Sequence, residues 1–288
     1  MEIEVRKIVG ERLLVMGGVY SNYEALQALK AWADTNNYSA DSIVCTGDVV
    51  AYCADAQACV DLVADWGIHC IAGNVEIQLR NREEDCGCNF NENSSCDLHS
   101  QRWYPYAQAQ ITEERLHWMN TLPEQLILEF GGEKWGVCHG APSETSRFVY
   151  LSSPWEEKQK GLNYLDVQKM IAGHCGVPFL DQKESKAWIN SGALGMPGND
   201  GTQDVWFTTI DKSKEGFEVK FHRLSYDWRS TQEKMRNAKL PEVYAKTLET
   251  GLWDSTEVLR PEEVQQTGTR LNWNESPIIL KTTNAVLE

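Results

Sequence analysis

Four short apolar runs in this chain stop in the same way, each on a glycine beside one residue that can bind a cation. Ser42 to Tyr52 turns at Gly47-Asp48, Ile68 to Ala72 ends in Gly73-Asn74, Lys134 to Cys138 ends in His139-Gly140, and Lys169 to Ala172 ends in Gly173-His174. Short apolar runs bounded by glycine read as buried strands. In an open α/β sheet, ligands bind in the crevice outside the carboxyl ends of the strands, so a polar residue just past a strand is placed for chemistry. Any one pair carries little: Asp48 could simply cap the element that follows, and a lone His is more often a satisfied polar group than a ligand. Repetition is what constrains the chain, because four strands then deliver a carboxylate, an amide and two imidazoles to strand ends.

Asp48, Asn74, His139 and His174 together offer two oxygens and two nitrogens. That mixture suits Mn, Fe, Zn, Co or Ni better than Ca, which takes oxygen alone. Glycine beside each ligand lets separate backbones crowd around one ion.

The order and surroundings of these pairs resemble the calcineurin-like metallophosphoesterases, in particular a compact bacterial group with diadenosine-tetraphosphatase-like and phosphodiesterase-like members. The resemblance rests on Gly47-Asp48, Gly73-Asn74, His139-Gly140-Ala141-Pro142 and Gly173-His174, and on Asn190 to Pro197, which is similar to the family's Asn-Pro-Gly-Ser-Val-Gly-x-Pro segment. It extends from about Leu13 to about Leu252. It implies a four-layer α/β/β/α sandwich of two mixed β-sheets flanked by helices. It also implies a site for two ions, with Asp48 bridging both and Asn74, His139 and His174 completing one of them.

The other half of that site departs from the family. Where the family carries an Asp and a His in the first strand's Asp-x-His, and the second His of Gly-His-x-His, this chain has Gly18, Tyr20 and Gly176. The His that follows the family's Gly-Asn, which protonates the leaving group or steadies the phosphate, is Val75. Two ions about 3.5 to 4 Å apart clamp the attacking and leaving oxygens of a phosphoryl displacement, and a single ion still acts as a Lewis acid and lowers the pKa of its water. The resemblance therefore implies a metal-dependent hydrolase of a small phosphomonoester or phosphodiester, with one or two divalent ions in an atypical site. A catalytically silent member that binds a ligand or a protein is the alternative; the retromer subunit of this fold, which lacks the His replaced here by Val75, works as a scaffold.

A third reading comes from Asp85 to His99, where Cys86, Cys88, Cys96 and His99 lie among Asn, Ser and Glu, too polar to build a core. These are the ligand types of a structural zinc site, although Cys-x-Cys is tighter than the usual spacing. A Cys86–Cys88 or Cys88–Cys96 disulfide and free thiols compete with it, the disulfide weakened by a reducing compartment. The loop could also fold over the metal cleft and, with Cys175, replace lost ligands; or the protein could handle metal or redox equivalents through these cysteines. Cys45, Cys59, Cys70 and Cys138 sit in apolar patterns and read as core. Two residues are candidates for substrate contact: Asn22, which could instead share helix capping with Ser21, and Arg147, the best-placed cation for a phosphate or else a surface residue.

The remaining organisation follows from periodicity. Residues 1–225 read as the core, with the cysteine loop and a helical insert at 83–123, residues 226–260 as a helical extension, and 261–288 as an irregular tail. Trp188-Ile189, Val205 to Ile210 and Phe217 to Leu224 are the expected second sheet, and Trp103, Tyr104 and Tyr106 a stripe that buries itself or stacks a base. A net charge of −15 repels phosphate backbones and argues against nonspecific nucleic-acid binding. No apolar run approaches the length of a spanning helix and no charged segment followed by an apolar one opens the chain, so a cytoplasmic protein, free of membrane and compatible with a homo-oligomer, is expected.

Overall fold

The computed structural model describes residues 3–88, 90–273 and 276–282. Its strands form two six-stranded mixed sheets. One sheet runs β1 (Glu4–Lys7), β5 (Gln125–Phe130), β6 (Glu133–Cys138), β7 (Lys169–Ala172), β9 (Lys186–Ser191) and β8 (Pro178–Lys183). The other runs β12 (Ile278–Leu280), β11 (Phe217–Leu224), β10 (Val205–Lys212), β2 (Arg12–Met16), β3 (Ile43–Cys45) and β4 (His69–Cys70).

Strand alternation assigns each face. On β2, Leu13 and Val15 join Trp135 and Val137 of β6 in the core between the sheets, while Leu14 and Met16 face a second core built with helices. That helical layer comprises α1 (Tyr23–Thr35), α2 (Ala56–Trp66), α3 (Asn74–Asn81), α4 (Ser95–Gln108), α5 (Glu113–Thr121), α7 (Trp228–Asn237) and α8 (Glu242–Thr250). On the far side, Cys138, Met170 and Trp188 pack with Leu162 of α6 (Trp155–Tyr164). The result is the expected α/β/β/α sandwich.

Several expectations change. The strands at 188–224 do not make a sheet of their own: β9 lies beside β7, and β10 and β11 complete the sheet of β2 and β3. The tail from 261 onward is not irregular throughout. It forms a short helix, α9 (Pro261–Val264), and β12, which pairs with β11; residues 274–275 and 283–288 lie outside the described residues. The 226–260 helices are anchored to the sandwich, because Lys234 of α7 pairs with Glu24 of α1 and with Asp55 at the start of α2. The insert buries Trp103 and Tyr104 completely, so burial and not base stacking is the fate of that stripe.

What matters for function is the placement of four strand ends. β3 and β4 are parallel neighbours in one sheet, and β6 and β7 are parallel neighbours in the other. Asp48 and Asn74 thus arrive from one sheet and His139 and His174 from the other.

Candidate metal centre

The loop after β3 is held in place by its backbone. Gly47 takes a φ of 90°, and a Cβ there would meet the Gly73 nitrogen at 2.4 Å; a Cβ at Gly73 would meet Asp48 Oδ1 at 2.2 Å. Glycine at both positions is what lets the β3 and β4 loops touch. Glu76, fully buried on α3, ties them together: its carboxylate accepts the N–H groups of Asp48 at 2.7 Å, Gly73 at 3.0 Å and Val50 at 3.2 Å. Burial and the charge of Asp48 push the Glu76 carboxyl up to about 7, against those three hydrogen bonds.

Asp48, His139 and His174 converge. Their ligand atoms all lie within 4.8 Å of one another, and all three residues are buried. Asp48 Oδ2 is 3.1 Å from His139 Nε2, which is 3.0 Å from His174 Nδ1. The other nitrogen of His139, Nδ1, sits 2.6 Å from the Thr46 carbonyl, an acceptor only, so Nδ1 carries a proton. In a neutral His139 the lone pair of Nε2 then faces a carboxylate oxygen and a second imidazole nitrogen. Such an arrangement is repulsive unless a cation, a proton or a metal ion, lies among the three atoms.

The electrostatics show the same need. Burial by itself would raise the Asp48 carboxyl, but His139, His174 and the Val75 N–H outweigh it and hold it below the usual range. Burial would lower His139, but the charge and hydrogen bond of Asp48 and the Thr46 carbonyl raise it. His174, desolvated and beside His139, falls to about 3 and stays neutral. The fourth expected ligand, Asn74, donates its amide Nδ2 to the Cys86 carbonyl at 2.8 Å and to Cys88 Sγ at 3.3 Å. Its Oδ1 is left buried without a partner. An unpaired buried carbonyl oxygen, on the residue before Val75 whose N–H reaches Asp48 Oδ1 at 3.2 Å, fits a cation ligand, as does the N/O donor set. Left-handed backbone at Asp48 (φ 55°), His174 (φ 61°) and Tyr20 (φ 52°) adds strain at the same place, which non-glycine residues adopt rarely.

The half-site with unusual residues is closed by rings. A side chain at Gly18 would meet the Tyr20 ring at 2.3 Å, and one at Gly176 would meet the Trp253 ring at 3.2 Å. Tyr20, itself the third position where a ligand is missing, and Trp253 therefore stand in the space beside Gly18 and Gly176.

The remaining candidates separate. Among the described residues, Cys86, Cys88, Cys96, His99 and Cys175 form no group of three converging ligands, so the zinc site in that loop does not assemble. All nine cysteines are free, and neither disulfide forms. Cys86 and Cys88 are buried in the helical core, correcting the expectation that this stretch is too polar to contribute there. The loop does reach the cleft: it accepts the Asn74 amide, and Cys96 and His99 line the cavity that His174 borders. Burial raises Cys175 to about 12, and its Sγ accepts from Asn190 and faces the Val177 carbonyl. Asn22, fully buried, caps α1 by accepting the Ala25 N–H and spends its amide on Gly195 and Tyr226; it is a structural residue, and Ser21 turns instead to Ala51. Arg147 is half-exposed and paired with Glu157 at 2.6 Å and with Glu144, not turned toward the cluster's cavity.

Comparison with known proteins bears on this geometry. A family model described as the calcineurin-like phosphoesterase superfamily domain matches residues 21–213. An uncharacterized protein of Methanocaldococcus jannaschii is 25% identical over 260 residues, 85% of this chain and 100% of its own. A metallophosphoesterase structure from Sphaerobacter thermophilus is similar with a TM-score of 0.65 and 23% identity, over 85% of this chain and 100% of that one. A hypothetical protein from Pyrococcus horikoshii gives 0.69 and 17%, over 84% and 99%. At these identities the two structures establish the common fold.

Proposed function

The chain belongs to the calcineurin-like phosphoesterase superfamily, and on that premise we propose that it hydrolyses small phosphoesters with a single divalent transition ion held by Asp48, Asn74, His139 and His174. The observation that carries this reading is the three-way approach of Asp48 Oδ2, His139 Nε2 and His174 Nδ1, with rings filling the neighbouring half-site. When bound, such an ion supplies Lewis-acid charge to a phosphoryl oxygen and lowers the pKa of water.

The chain's own groups set the rest. Thr46 fixes the His139 tautomer, so that Nε2 points its lone pair into the centre. Glu76 keeps the Asp48 and Asn74 loops together and is a positioning residue, its oxygens already taken by backbone N–H groups. In the reaction, water adds to phosphorus, the P–O bond to the ester group breaks, and the proton from water ends on the departing oxygen. Val75 cannot donate that proton, so esters with good leaving groups are hydrolysed fastest.

The test is elemental analysis of protein purified without chelator, alongside assays with 4-nitrophenyl phosphate and bis(4-nitrophenyl) phosphate. Stoichiometric metal and turnover, both lost in His139→Ala, support the proposal. Metal without turnover over a broad phosphoester panel overturns catalysis and leaves a ligand-binding member of the family. Val75 in place of the family's His and the rings of Tyr20 and Trp253 beside Gly18 and Gly176 are what favour that second reading.

A further inference from the structure

A cavity of about 110 Å³ opens beside the cluster, with His174 in its wall. Its walls include the rings of Tyr20, Tyr52, Phe148, Tyr244 and Trp253. The rings support one another. Tyr52 lies 4.9 Å from Tyr20 and 4.6 Å from Tyr244, and Phe148 lies 4.2 Å from the ring of His174 itself. A planar apolar group seated there would meet ring faces and edges on several sides while remaining next to a proposed metal ligand. Burial keeps the hydroxyls of Tyr20, Tyr52 and Tyr244 protonated, so they add no charge.

Charge narrows the ligand further. No lysine or arginine is among the described residues that line the cavity, and Asp254 contributes a carboxylate to it. On the single-ion reading, two positive charges of the ion and one negative charge of Asp48 leave +1 at the ion, and less if Glu76 is ionised, while Asp254, about half-exposed beside His99, adds a negative charge that water screens. One negative charge on the ligand can be balanced there. A second cannot, and in a site walled by hydrocarbon an unbalanced charge is costly.

We propose that this cavity binds the aromatic ester group of a phosphodiester, a monoanion, and discriminates against dianionic phosphomonoesters. The proposal rests on the single-ion reading above. It explains why the half-site that could have held a second ion is closed by Tyr20 and Trp253: those rings exchange charge for apolar surface. Hydrolysis of a diester also yields a monoester dianion, which the same charge balance holds weakly and so releases.

The test uses the metal-loaded protein and three probes: diphenyl phosphate, phenyl phosphate and dimethyl phosphate, with affinities read by ligand-observed NMR. Diphenyl phosphate is expected to bind about tenfold or more tightly than either of the others, one comparison reporting charge and the other the ring. In Trp253→Leu the ratio of diphenyl to dimethyl affinity is expected to fall about fivefold, with Trp253→Phe restoring most of it. Phe148→Leu provides the same ratio if Trp253→Leu does not fold. Phenyl phosphate binding as tightly as diphenyl phosphate, or a ratio unmoved in both leucine variants, overturns the proposal. Turnover of bis(4-nitrophenyl) phosphate, measured alongside, separates the two ideas. Diphenyl selectivity without turnover sinks the hydrolase and keeps the cavity, whereas turnover without selectivity sinks the cavity alone.

Discussion

The two halves of the cleft start from the same kind of strand-end loop and finish differently. One half closes on lone pairs, where Asp48, His139 and His174 approach each other and Asn74 Oδ1 has no partner. The other closes on rings, with Tyr20 against Gly18 and Trp253 against Gly176. The first brings together lone pairs that repel unless a proton or a metal ion lies among them, and the second is walled by the chain's own rings. A family scaffold can thus lack one ion's ligands and line the space with aromatic side chains instead, leaving an apolar cavity of about 110 Å³.

The largest expected effect tests the polar half. His139→Ala should abolish metal binding and lower kcat/KM about a thousandfold or more, read by elemental analysis and steady-state kinetics. Glu76→Ala should come next. It leaves the buried N–H groups of Asp48, Gly73 and Val50 without an acceptor. At roughly 1–3 kcal/mol for each unsatisfied group, denaturant unfolding should show a loss of about 3 kcal/mol or more. A loss under about 1 kcal/mol would mean that the two loops hold together without it.

Gly18→Asp tests the aromatic half. Alone it drives a side chain into the Tyr20 ring and should cost about 1–3 kcal/mol. Combined with Tyr20→His, which replaces that ring by a smaller one, most of the loss should return. If Gly18→Asp is harmless by itself, the ring does not close that half.

Acidification separates the halves by charge. His174 is held to about 3 in the fold against the ordinary imidazole value of about 6.5, so between those values the unfolded chain binds a proton that the folded chain refuses. The His174 contribution to the stability of the metal-free protein should therefore fall as pH drops from 6.5 toward 3, offset above about 4.5 by Glu76, which the fold raises to about 7, so His174→Asn should lose less stability on acidification than the wild type, as measured by urea unfolding at a series of pH values. Equal slopes would contradict the burial of a neutral imidazole. The smallest effect belongs to Arg147→Ala, outside both halves: a half-exposed ion pair is worth at most about 1 kcal/mol, and KM for any phosphoester should stay unchanged.

Much of the polar half was legible in the chain because its signal is local: each ligand type sits beside a glycine at the end of an apolar run. The two-sheet sandwich followed from the same motifs through the family resemblance. The aromatic half was not legible. Gly18 and Gly176 show only that ligands are absent, and the rings that replace them come from Tyr20 in the same loop and from Trp253, 77 positions beyond Gly176 (253 − 176). Nothing in local spacing links those positions. Edge strands were missed for a related reason. β1 is Glu-Val-Arg-Lys and mostly exposed, and β12 has 3 residues, so neither carries the alternation that marks a half-buried strand. Cys86 and Cys88 misled because a neighbourhood polar in sequence is buried in the fold, where Asn74 donates its amide to that loop. Arg147, expected beside a phosphate, pairs with Glu157, ten positions later on α6.

The most direct measurement is the number of transition ions bound per chain, by calorimetric titration of metal-free protein with Mn²⁺ or Zn²⁺, in the wild type and in His139→Ala. One ion per wild-type chain and none in the variant is the predicted result. Two ions per chain, or one that persists without His139, would contradict it.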